Sequence, residues 1–232
     1  MRRNNPVQVV WYYDWACSAA VRLGKLDEAL EFVNRALAVM EKAPVGDVAE
    51  FTIRGIQAEA LWRKGEQEPA LKEAREFLDR AAKMQVVNYS TYVGFFHFMD
   101  VIFLALEQAY VQNHPQAEKD DLMKYARLSV KIMKAYARVF TVGEPAVYRY
   151  TGWVEWFSGR REKGLQAWRT ACEKAHPIPM HYEEGMSALA LANHLLPENP
   201  ERVAGFQRAR DAFGRGGFEN WVEIARDPTL NP

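Results

Sequence analysis

Residues 23–37 read LGKLDEALEFVNRAL, and the fold can be argued from this stretch outward. Leu26, Ala29, Leu30, Val33, Ala36, Leu37 and Met40 recur at steps of three and four. Asp27, Glu28, Glu31, Asn34 and Arg35 fill the other side. This spacing makes an amphipathic helix with one buried stripe. Gly24, just before it, supplies the left-handed turn that other residues resist. The same layout returns in residues 64–78, KGEQEPALKEAREFL, around Gly65 and Ala70. It returns again in residues 158–172, SGRREKGLQAWRTAC, around Gly159 and Gly164. Each time a helix ends, a glycine turns the chain, and a small residue follows five positions later. That small residue has a steric purpose, because two helices of a hairpin approach closely only where no large side chain separates them. Ala36 and Ala171 offer a second such contact, with Val33 and Trp168 between.

The rest of the chain keeps the helical period. No run alternates long enough for a strand, and no Asn-Gly or Asp-Gly hairpin occurs. Pro6, Pro69, Pro145 and Pro200 mark first turns, where a missing N–H costs nothing, and Asn199 is a candidate N-cap. The expected helices are 6–23, 26–42, 46–64, 67–84, 88–113, 117–140, 145–158, 161–175, 180–195, 200–214 and 217–226. Short connections make successive helices antiparallel. No long linker divides the chain, so a single domain over 1–232 is expected. Its units are about 6–42, 46–84, 88–140, 145–175 and 180–214, with a C-terminal helix at 217–226. The third unit carries an insertion around residues 113–121 that lengthens its turn, with Asp120-Asp121 at a helix start.

These residues resemble the tetratricopeptide repeat, in which a bulky then a small residue, a turn glycine and an alanine-rich second helix recur. Tyr148, Gly152, Gly159, Gly164, Trp168 and Ala171 fit best, and Tyr13, Cys17, Gly24, Ala29 and Ala36 fit well. Ala58, Leu61, Gly65 and Ala70 carry the second unit, which has Phe77 where alanine is usual. Ala29 and Ala70 lie about 41 residues apart, against about 34 in that family and about 40–47 in HEAT and armadillo repeats. The resemblance implies an all-α fold of about 11 helices, a right-handed superhelix of antiparallel pairs. The last ninety or so residues, with Tyr150-Thr151-Gly152 and IPMHYEEGMSALALANHL at 178–195, also resemble the helical region of large bacterial proteins. In those proteins an ATPase, often with a nucleotide cyclase, is joined to such repeats. The chain has no GxxxxGK[ST] phosphate loop.

Composition narrows the functions. Thirty basic residues balance thirty acidic ones, so the surplus expected of a nucleic-acid binder is missing. Arg160-Arg161 and the stretch from Arg208 to Arg215 read as solvated helix faces. Cys17 and Cys172 read as buried thiols of a reducing compartment. The apolar run 89–111 carries His97, Asp100 and Glu107, and reads as a core helix before a membrane span. The expectation is a cytoplasmic protein with no membrane and no nucleic-acid partner. The aromatic-rich start shows no obvious polar cap, which suggests upstream sequence or a covering partner.

Catalytic and metal signatures are missing. His176 and His181 flank a proline-containing break, and with Glu183 or Glu184 they lack HExxH spacing. An interhelix loop is the expectation, with no metal and no cofactor. His97 reads as a hydrogen-bonded core or groove histidine. GRGG at 214–217 reads as a helix cap and turn. No GxSxG elbow occurs, and no base accompanies either cysteine. The chain is therefore expected not to be an enzyme.

Aromatics are the informative class. Trp11, Tyr12, Tyr13 and Trp15 cannot all face one core, since a helix turns about 100° per residue. In the family the first helix of each pair lines the concave side. The resemblance thus implies partner-binding positions at Asp14, Ser18 and Arg22, then Glu59, Trp62 and Arg63, then Gln108, then Arg149, Trp153 and Trp156. The expected function is to hold a protein or peptide in that groove. Alternatives are a regulatory or homodimer-forming segment of a larger ATPase or cyclase protein, and a helical sensor or enzyme with a pocket near His97, Tyr92 and Trp156.

Overall fold

A computed structural model of the chain describes residues 5–84 and 88–226. Among these residues there is no strand, and eleven α-helices follow in order. They are α1 (Pro6–Arg22), α2 (Leu26–Met40), α3 (Asp47–Arg63), α4 (Gln67–Ala81), α5 (Thr91–Val111), α6 (Gln116–Ala137), α7 (Glu144–Phe157), α8 (Arg161–Ala175), α9 (His181–His194), α10 (Pro200–Gly216) and α11 (Glu219–Arg226). The boundaries have local causes. Gly24, Gly65 and Gly159 take positive φ in the turns that close α1, α3 and α7. The Asn199 side chain accepts from the Glu201 N–H at 2.9 Å, capping α10, and Gly217 ends that helix at φ 74°. The start of α1 does have a polar cap, contrary to the sequence reading: Asn5 accepts from the Val7 N–H at 3.0 Å. The expected insertion at 113–121 is also absent. Asn113 turns the chain at φ 54°, α6 begins at Gln116, and Asp120 and Asp121 lie inside it.

The contacts form two compact units, Met1–Leu128 and Ser129–Pro232. In the first, α1 packs on α2, α2 on α3, α3 on α4 and α4 on α5, while α3 also touches α1 and α5. Val10, Cys17, Val33, Ile53 and Ile56 make one core with Ala29 and Ala36 in it. Phe77 of α4 stacks on Phe98 of α5 with centroids 4.0 Å apart, adding an aromatic layer. The helix α5 is long and apolar enough to cross a membrane, and 78% of that apolar stretch is buried within the protein.

A pair of mid-helix glycines sets how α3 and α5 meet. A Cβ on Gly55 would stand 2.8 Å from the Gly94 carbonyl oxygen, and one on Gly94 3.2 Å from the Thr52 backbone. Thr52 and Gly55 thus face Gly94, and Glu59, one turn on, meets His97, so the two helices run parallel with their backbones nearly touching.

In the second unit α7 packs on α8, α8 on α9, α9 on α10 and α10 on α11, with α9 also touching α7. Arg149 meets Trp168 while Trp156 meets Gly164, so α7 and α8 are antiparallel. A Cβ on Gly152 would fall 2.3 Å from Trp168 Nε1, which is why only glycine fits there. That indole donates to the Arg149 carbonyl at 3.1 Å. Ala70 and Gly164, the small residues singled out in the sequence, are both buried.

Candidate functional site

The parallel seam of α3 and α5 gathers buried polar groups from three helices. His97 is fully buried on α5. Its Nδ1 lies 2.5 Å from Glu59 Oε2 on α3, and its Nε2 lies 3.0 Å from Ser18 Oγ on α1. Arg63 Nε donates to the other Glu59 oxygen at 2.8 Å. Burial pushes the Glu59 carboxyl up, but the Arg63 and His97 charges and their hydrogen bonds outweigh it and hold the group well below the usual range. An ionised Glu59 accepts, so Nδ1 carries the hydrogen and Nε2 faces the serine hydroxyl. Serine, imidazole and carboxylate in this order are what serine hydrolases use to move a proton. Here Ser18 is itself buried and does not line the neighbouring hollow. The arrangement satisfies polar atoms in a core that would otherwise carry an uncompensated charge.

That hollow, of about 590 Å³, lies between the first halves of α1, α3 and α5. Trp11, Asp14 and Trp15 of α1 form one wall, at positions i, i+3 and i+4 of one helix face. Val45, Asp47, Ala49 and Thr52 form another, and Tyr89 and Val93 close it. Trp11 is 58% exposed and Trp15 70% exposed, so two large apolar rings face solvent at its mouth. The lining holds two carboxylates and no lysine or arginine among the described residues. Burial pushes the Asp14 carboxyl up to about 6, partly offset by the charge of His97. Among the described residues no lysine or arginine pairs with it.

The residues expected to line a groove are placed as follows. Asp14 borders the hollow. Arg22 lies 5.0 Å over the Phe96 ring. Glu59 is 1% exposed and Trp62 8% exposed, while Arg63 serves Glu59, so these three face inward rather than toward a partner. Gln108 exchanges paired amide hydrogen bonds with Gln67, at 2.9 and 3.0 Å. In the second unit Arg149, 3% exposed, is ion-paired with buried Glu183 at 2.8 Å. Trp153 and Trp156 pack around His194, with centroids 5.0 and 4.5 Å away. Burial holds the His194 imidazole below its ordinary value, against the pull of its hydrogen bond to the Ala190 carbonyl.

Sequence reasoning passed over two features. The family's groove positions leave out Trp11 and Trp15, although their Trp-x-x-Asp-Trp spacing puts them with Asp14 on one helix face. The second feature is that Glu183 and Glu184, adjacent in sequence, serve different neighbours. Glu183 turns to Arg149, and Glu184 to His176, Arg208 and Arg215. Burial pushes both the Cys17 and Cys172 thiols up to about 12, away from the reactive thiolate. Among the described residues no group of three or more histidines, cysteines or carboxylates has metal-binding geometry. Comparison of the chain with protein families finds no match, and comparison with curated proteins finds none.

Proposed function

We propose that the chain is a binding module whose hollow between α1, α3 and α5 holds a segment of another protein, one that brings an arginine or lysine flanked by apolar residues. The observation that carries this is Asp14: a carboxylate drawn out of water, without a basic partner among the described residues, between two exposed tryptophans. A guanidinium or ammonium entering there gains an ion pair in a low-dielectric site and the faces of Trp11 and Trp15, each face worth about 0.5–2 kcal/mol. Apolar neighbours of that cation would cover Val45, Ala49 and Val93. A large apolar hollow with a few convergent polar groups and a perturbed carboxyl is the usual form of a ligand site. In this reading the chain works by recognition rather than catalysis. Its helix pairs, nested through Ala29, Ala70 and Gly164, are repeats of tetratricopeptide type stacked into a right-handed superhelix.

Selection of a random peptide library against the whole chain tests the reading. Selected peptides should carry arginine or lysine beside apolar residues. Asp14→Asn and Trp15→Ala, each folded by circular dichroism, should weaken them about tenfold, which is about 1.4 kcal/mol. Peptides without a basic residue, or peptides held equally by both variants, contradict it. Light scattering examines the remaining occupant: a dimer that Trp15→Ala dissociates would mean that a second copy covers this surface.

A further inference from the structure

Glu184 lies in the first turn of α9 with its carboxylate buried, and three side chains of the second unit close over it. Arg208 Nε reaches one oxygen at 2.9 Å, Arg215 Nη2 reaches the other at 2.9 Å, and His176 Nδ1 stands 3.1 Å away. Arg208 Nη2 also donates to the Cys172 carbonyl at 2.9 Å. The carboxylate is 2% exposed, whereas the arginine side chains are 39% and 44% exposed. A guanidinium has five N–H donors in a rigid fork, so both arginines are held in place by Glu184 while keeping donors to spare. Together with His176 they line a surface hollow of about 490 Å³. A second hollow of about 230 Å³ shares Arg208 and Ala204 with the first and continues over Cys172, Ala188, Leu191 and Gly205, with Glu173 and the Arg169–Glu201 ion pair also lining it.

We propose that these joined hollows bind a small organic phosphate, its phosphoryl group on Arg208, Arg215 and His176 and its body over Ala188, Leu191 and Gly205 in the hollow beside them. A phosphoryl group carries more charge and more acceptor oxygens than a carboxylate, so it can take the spare donors of both arginines and His176 at once, whereas a second carboxylate beside Glu184 offers two oxygens and one charge. The combined space exceeds what one phosphate fills. Asp211 also lines the first hollow and accepts from Gln207 at 2.7 Å, so its charge, with those of Glu184 beneath the arginines and Glu173 of the second hollow, opposes the anion and limits the affinity. The proposal concerns other residues than the hollow of α1, α3 and α5, and stands or falls separately.

The test is a titration at constant ionic strength, followed by calorimetry and by the Nε–H resonances of the arginines. Inorganic phosphate, phenyl phosphate and benzoate are the probes. Saturable binding is expected for both phosphates, tighter for phenyl phosphate, with benzoate far weaker. Arg215→Lys keeps the charge over Glu184 and loses the fork, so affinity should drop about tenfold. Asp211→Asn should tighten binding and leaves the arginines untouched, so it decides the matter if Arg215→Lys does not fold. No saturable phosphate binding, benzoate equal to phenyl phosphate, or no gain in Asp211→Asn overturns the proposal. Vesicles bearing phosphatidic acid are the last arm: binding there but not to phenyl phosphate would assign the anion to a lipid surface and overturn the small-molecule site.

Discussion

Replacing Gly55 with alanine would put a methyl group 2.8 Å from the Gly94 carbonyl oxygen and 3.2 Å from the Phe98 ring. To restore ordinary contact, α3 and α5 must part by about 0.6 Å, a gap that forfeits a quarter or more of the dispersion across the seam. Overpacking of this kind costs about 1–3 kcal/mol. Alanine in a helix returns about 0.5–1 kcal/mol of backbone entropy. The net loss is then about 0–2.5 kcal/mol, centred near 1, or roughly 2–4 °C in Tm at that centre for a chain of this size. Gly214→Ala separates the two terms. It makes the same chemical change in α10 with nothing within 4 Å, so it should stabilise by up to about 1 kcal/mol. Urea denaturation of both variants reads the difference. The His97 imidazole resonances should move in Gly55→Ala alone, because that seam sets its distance to Glu59. If the two variants differ by less than about 0.5 kcal/mol, or the His97 signals stay put in Gly55→Ala, the close approach does not build the polar seam.

Two further outcomes follow from single residues. Burial pushes the Glu107 carboxyl from 4.5 up to about 7, so between those values the folded chain binds a proton that the unfolded chain lacks. Stability should therefore fall as pH rises through that window, and Glu107→Gln should make the fall shallower, leaving the part due to Asp14, whose carboxyl is raised to about 6; urea midpoints at pH 5 and pH 8 measure it. Asn199→Ala removes the cap of α10 and should cost about 1 kcal/mol, read as a lower urea midpoint with unchanged helicity.

The helices could be read from the sequence because their signals are local. Gly24, Gly65 and Gly159 turn the chain where the repeated layout puts them, and Asn199 caps the helix after it. Asn113 conceals its turn because a left-handed asparagine looks like any polar loop residue, and the lengthened turn expected around 113–121 is a short one. The polar seam was half visible. The repeat positions of Ser18, Glu59 and Arg63 imply groove residues. What joins them is His97, far from Ser18 and Glu59 in sequence, and no local pattern announces such a pairing. Gly55 and Gly94 were the missed clue, since a glycine inside a helix costs stability and calls for a packing reason. Repeat position alone also cannot separate a groove-facing side chain from a buried one. The inward turn of Glu59 and of Arg149 follows from partners on other helices, His97 of α5 and Glu183 of α9.

The hollow beside that seam is tested most directly by the pH dependence of one affinity. A library-selected peptide with a single arginine should bind the wild-type chain well at pH 7.5 and progressively more weakly as pH falls through about 6, where Asp14 takes up a proton. The same peptide should bind Asp14→Asn weakly at every pH. An affinity that stays flat from pH 7.5 to 5 in the wild type, or a pH dependence that survives in Asp14→Asn, would contradict the claim that this carboxylate receives the partner's cation.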